Sequence, residues 1–153
     1  WIDYIRKNSS NEPILNKLPN LEQFMFEPNR NQLNAVAHVL VELQECRCFY
    51  CNRPMKKGNY AVDHFIPWSM YPSDTGHNFV LADASCNSKK SNFLAADEFL
   101  HKWQERNHTQ DLVIVDRISV LGFLTDKGRS HKVAEWAYAQ AEENGYLLWS
   151  NKL

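Results

Sequence analysis

The sequence predicts an α+β domain, mainly helical, with a small sheet element near its middle. Three observations carry this. Apolar residues recur at helical spacing in separate stretches of the chain, and β-branched and aromatic residues gather at 60–66 between turn signals. A chain of 153 residues with 44% apolar content can also bury one real core but not two large ones. The expected organisation is therefore one domain in three parts: an N-terminal arm and helix over 1–45, a central segment over 46–95, and a helical extension over 96–153.

Residues 7–30 are rich in Asn, Pro and Ser around an apolar island at Phe24, Met25 and Phe26, which reads as an irregular arm docked at one point. Over 31–45, Leu33, Val36, Ala37 and Leu40 make the stripe of an amphipathic helix that delivers the chain to a group of cysteines. Residues 60–66 read as a strand entered from the Gly58-Asn59 turn and closed by Pro67. A loop is expected over 73–78 and the start of a helix over 84–90. A helical stretch over 93–106 shows Phe93, Ala96, Phe99, Leu100 and Trp103 on one face; the pattern does not say whether these two are one bent helix or two. The apolar runs 112–115 and 118–124 fit strand or helix equally. Ser130 reads as an N-cap, Val133, Ala137 and Ala141 as a stripe, and Gly145 as a stop. Trp103, Trp136, Tyr138, Tyr146 and Trp149 are expected to pack rather than to stack on bases.

Seventeen basic and eighteen acidic residues give a net charge of -1 and a pI near 6.6, so attraction to nucleic acid would have to come from a local patch. No apolar run has membrane-spanning length and no signal-peptide pattern opens the chain, so a cytoplasmic protein without membrane partners is expected. A start at Trp1 rather than Met is how a piece of a longer protein reads.

The cysteines are Cys46, Cys48, Cys51 and Cys86. Cys48-Phe49-Tyr50-Cys51 has the spacing that lets two sulfurs share one tetrahedral Zn²⁺. Cys86 would be a third ligand, with Asp83, three residues earlier, or Cys46 as the fourth. The rival readings are a redox pair, for which a helix should follow rather than precede the motif, and four buried thiols with no metal. Without zinc, Phe49, Tyr50 and Trp68 would hold the knuckle by packing.

The stretch Val62-Asp63-His64-Phe65-Ile66-Pro67-Trp68-Ser69 sets an acid beside a histidine in a half-buried strand, where each needs a partner. An imidazole that accepts a proton beside a carboxylate that holds a cation satisfies both. On a regular strand the two would face opposite sides, so this reading asks for a bulge or a strand end. Asn78 precedes an apolar run, and Asn87 could offer a carbonyl oxygen that, with Asp63, makes an open Mg²⁺ or Mn²⁺ site. Taken singly, Asn78 and Asn87 are ordinary capping residues and Lys89-Lys90 an ordinary solvated face. His38, His77, His101, His108 and His131 read as structural, His77 least securely because it adjoins Asn78.

In order, CFYC, VDHFIPWS, HNFVLA and SCNSKK resemble the pattern of the HNH nucleases of the ββα-metal (His-Me finger) class, over about 48–94. The resemblance implies a ββα-metal core in the central segment and a metal-dependent DNA endonuclease. It implies His64 as general base, Asp63 and Asn87 as ligands of a catalytic Mg²⁺ or Mn²⁺, and Asn78 as the residue that fixes His64. Lys90 would meet phosphate, with Lys89 as its substitute. One such site cuts one strand, so a double-strand break would take a homodimer, repeated nicking or a larger complex; restriction or antiviral defence is the expected setting. Where many members carry a second Cys-x-x-Cys, this chain has Asp83-x-x-Cys86. The rival expectations are an inactive HNH module that binds nucleic acid or protein, and an RNase built on the same centre.

Overall fold

The computed structural model describes residues 21–56 and 58–151, with side chains from residue 31 onward. Residues 1–20, and with them most of the expected irregular arm, lie outside the described part. In chain order the elements are α1 (Leu21–Leu43), β1 (Tyr60–His64), a 3₁₀ turn (Gly76–Asn78), β2 (Phe79–Asp83), α2 (Ala84–Lys90), α3 (Asp97–Thr109), α4 (Asp111–Ser119) and α5 (Lys127–Asn144). The mixture is α+β, with one two-stranded antiparallel sheet among the described residues.

α1 starts ten residues before the stripe at 31 suggests and takes in Pro28, so the expected arm is helical from Leu21 on. Val36–Leu153 forms one compact unit. There Val36, Val39 and Leu40 of α1 are buried at the spacing of one helical face. The chain then turns through Glu45 and Cys46, both at positive φ, into the cysteine knuckle.

β1 and β2 pair one to one, Tyr60 with Asp83 through His64 with Phe79, with no extra residue on either strand. β2 is buried on both faces from Phe79 to Ala82, which explains its unbroken apolar run. Asp83 then caps α2 by accepting from the Ser85 amide at 2.9 Å. Ser91, at φ 47°, ends α2, so α2 and α3 are two helices. Phe93 lies in the connection and is 53% exposed, off the α3 face that buries Phe99 and Trp103.

The ambiguous run 112–115 is helical: α4 buries Ile114 and Ile118, one turn apart. α5 begins at Asp126, whose carboxylate accepts from the Arg129 amide, and Ser130 is a buried residue inside the helix rather than its cap. Gly145, left-handed at φ 65°, ends it as expected. The buried face of α5 is Ala134, Ala137 and Ala141; Trp136 lies off that stripe and is 54% exposed, and Tyr146 lies beyond the helix and is exposed too. Those two aromatics are therefore not core. Trp149 is drawn in by backbone bonds, its amide to Leu94 and its carbonyl to the Ala96 amide, and its ring meets Tyr50 edge-on.

Candidate active site and metal knuckle

His64 is the last residue of β1, and the chain leaves the sheet there toward Pro67. Its imidazole Nε2 lies 2.7 Å from Asp74 Oδ1, and its ring meets Trp68 and Phe79 edge-on. Both side chains of the pair are partly open, 21% for His64 and 24% for Asp74. Asp74 sits in the loop before the 3₁₀ turn, and no periodicity or motif in the sequence marked it.

Asn78 is buried beneath this corner. Its side-chain oxygen accepts from the Ile66 amide at 2.8 Å and its side-chain nitrogen donates to the Ile66 carbonyl at 3.0 Å. Its own carbonyl accepts from the Phe65 amide. It thus fastens the two residues after His64 and reaches the imidazole through the backbone.

The unbroken register puts Asp63 on the other face of β1 from His64. Asp63 is 8% exposed and carries two partners: the Tyr50 hydroxyl donates to it at 2.5 Å, and the Lys90 ammonium lies 3.2 Å away. Lys90 is fully buried, and it also donates to the His64 carbonyl at 2.9 Å. Burial, then the Asp63 charge, hold the Tyr50 phenol protonated well above its ordinary range. So held, Lys90 offers a phosphate no surface, whereas its neighbour Lys89 is exposed. Asn87, half-buried on α2, gives its carbonyl to the Ser91 amide at the helix end.

The Asp63 carboxylate is thus already paired with an internal ammonium.

Cys48, Cys51 and Cys86 bring their sulfurs within 4.8 Å of one another. The Asp83 amide donates to Cys48 Sγ at 3.3 Å. Burial and the neighbouring Cys48 and Cys51 push the Cys86 thiol up to about 12, so a bound cation is what would allow three thiolates here together. The donor set fits zinc. Neither proposed fourth ligand joins the three: the Asp83 carboxylate accepts from Ser85 Oγ at 2.7 Å and from Asn59 at 3.2 Å, and Cys46 donates to the Met55 carbonyl. The Ser85 bonds also keep the Asp83 carboxyl below its ordinary range. Phe49 and Tyr50 pack the knuckle from within, while Trp68 is 49% exposed and lies against His64 instead.

His77 is wholly buried, with Nε2 2.9 Å from Asp111 Oδ1. Its carbonyl accepts from Trp103 Nε1, Arg106 Nη2 and Asn107 Nδ2, which ties the 3₁₀ turn to α3.

Residues 48–96 match the family model described as HNH endonuclease. The match takes in the knuckle, both strands and α2, about a third of the chain, so the ββα centre of this protein is similar to an HNH core. No curated protein matches the chain. No helix among the described residues is long and apolar enough to cross a membrane.

Proposed function

We propose that this protein is an HNH-type endonuclease that hydrolyses DNA phosphodiester bonds with His64 as general base. The observation that carries the reading is the His64 imidazole itself: partly open at the end of β1, held by Asp74, on a core matched to the HNH endonuclease model. In the reaction a water gives its proton to His64, its oxygen bonds to phosphorus, and the bond from phosphorus to the leaving 3′ oxygen breaks. Asn78 keeps the strand end in place beneath the imidazole. Lys89, exposed on α2, would be the basic residue that meets a phosphate.

A divalent ion, Mg²⁺ or Mn²⁺, would neutralise charge on the phosphoryl and leaving oxygens when bound. Asp63 and Asn87 are the residues of the pattern that would hold it. Zn²⁺ on Cys48, Cys51 and Cys86 would have a structural role, fixing the knuckle from which Tyr50 reaches Asp63. The zinc reading predicts close to one zinc per chain by elemental analysis of the purified protein; a metal-free, fully folded preparation would end it.

The test of function is cleavage of supercoiled plasmid with Mg²⁺, Mn²⁺ or EDTA, by the chain and by His64→Ala. Nicking that needs metal and falls about 10²- to 10⁴-fold in His64→Ala is the expected outcome. An RNA competitor that is cut in preference to DNA would reassign the substrate.

A second reading, an inactive HNH module that binds nucleic acid, is favoured by one feature: the Lys90 ammonium beside Asp63. Tight DNA binding with no cleavage under any of these metals would establish it.

A further inference from the structure

We propose that Asp74 is a positioning residue for His64: its carboxylate fixes the rotation and tautomer of the imidazole, so that Nδ1 is the nitrogen that takes the proton. The proposal rests on His64 being the base. An ionised carboxylate can only accept, so the 2.7 Å contact requires Nε2 to carry a hydrogen. In a neutral imidazole the lone pair then belongs to Nδ1. The edge contacts with Trp68 and Phe79, at 5.3 and 5.2 Å between ring centres, limit the tilt of the ring. A ring turned over by half a turn would fill much the same space but would set Cε1 rather than Nε2 toward Asp74, so the carboxylate selects the rotation and, by accepting from Nε2, the tautomer.

The loop that carries Asp74 is itself held. Thr75 pairs with Leu124, and the Gly76 amide donates to the Leu124 carbonyl at 2.8 Å. The loop runs so close to α4 that a Cβ on Gly76 would lie 3.0 Å from methyl carbons of Ile118 and Thr125. A carboxylate anchored in this way can hold a side chain without much loss of its own freedom. The protons balance: Nδ1 takes one from the attacking water while Nε2 keeps its own toward Asp74. The electron pair of the broken bond goes to the 3′ oxygen, and the imidazolium formed faces a fixed negative charge.

The experiment compares the chain with Asp74→Ala and Asp74→Asn. Long-range ¹H–¹⁵N spectra at about pH 8, where an ordinary imidazole is neutral, report the tautomer, and His64→Ala identifies the His64 signals. We expect a protonated Nε2 in the wild type and in Asp74→Asn, whose amide oxygen still accepts, and a mixture of tautomers in Asp74→Ala. Plasmid cleavage at saturating DNA should fall about 10²-fold in Asp74→Ala, with DNA affinity within about twofold, and recover at least about tenfold in Asp74→Asn. A wild-type His64 protonated on Nδ1, or an Asp74→Ala with unchanged tautomer that cleaves within about threefold of wild type, overturns the proposal. If Asp74→Ala does not fold, Asp74→Asn and the wild-type tautomer still decide it. A wild type that does not cleave overturns the nuclease reading, and the tautomers then decide the role of Asp74 separately.

Discussion

His64 and His77 stand thirteen residues apart, and each sets Nε2 on an aspartate oxygen, at 2.7 Å for Asp74 and 2.9 Å for Asp111. The geometry of the two pairs is nearly the same. Their surroundings are not: the His64 side chain is 21% exposed, whereas His77 has no exposed surface, and its Nδ1 is buried with no partner among the described residues. Asp111 is also paired to Lys127 at 2.6 Å, so the His77 pair is one end of an ion network that joins the 3₁₀ turn to α4 and α5. A histidine bonded to a carboxylate is thus not by itself a catalytic sign. Solvent access, present at His64 and absent at His77, is what separates two pairs of the same geometry.

The largest effect expected from this contrast is on folding. His77→Ala should lose about 2–4 kcal/mol in urea unfolding, because a fully buried ring leaves a cavity and Asp111 loses a partner. A loss below about 0.5 kcal/mol would mean that the turn is held by its backbone alone.

Acid should show the contrast next. Burial, partly offset by Asp111, lowers the His77 pKa below its ordinary 6.5, and burial lowers that of His131 as well. The unfolded chain therefore binds the extra protons. Stability from this source is full above about pH 6.5 and falls as the pH drops below it. The Asp111 carboxyl, held low first by Lys127, adds a loss only near and below its ordinary 3.8. Urea midpoints at about pH 7.5 and 5.5 should differ in the wild type and differ less in His77→Gln; equal midpoints in the wild type would refute the assignment. The smallest effect belongs to His64→Ala, which should unfold within about 0.5 kcal/mol of the wild type even where cleavage is lost.

Much of this was legible in the sequence because it is local. The α1 stripe, the β1 segment between Gly58 and Pro67, and the stop at Gly145 rest on residues a few positions apart. The CFYC, DH and CN elements mark the core because their spacing is set by one small hairpin and one helix. Partners brought in from afar were not legible. Asp74 reaches His64 from a loop without period, and Asp111 reaches His77 across 34 positions. Tyr50 reads as packing and Lys90 as a phosphate contact, whereas both meet the buried Asp63 carboxylate. Side-chain direction also escaped the pattern: Trp136 has a helical neighbour on either side in the alanine stripe and still points away from the core.

Asn78 gives the hairpin an extra rung made from a side chain. An amide carries one donor face and one acceptor face, as a peptide group does, and here both meet the peptide of Ile66. Past the last backbone rung, from the Phe65 amide to the Asn78 carbonyl, the ladder is in effect continued without a further residue of strand. The chain can therefore turn away from the sheet directly after His64, leaving that imidazole at an open edge without letting the edge fray.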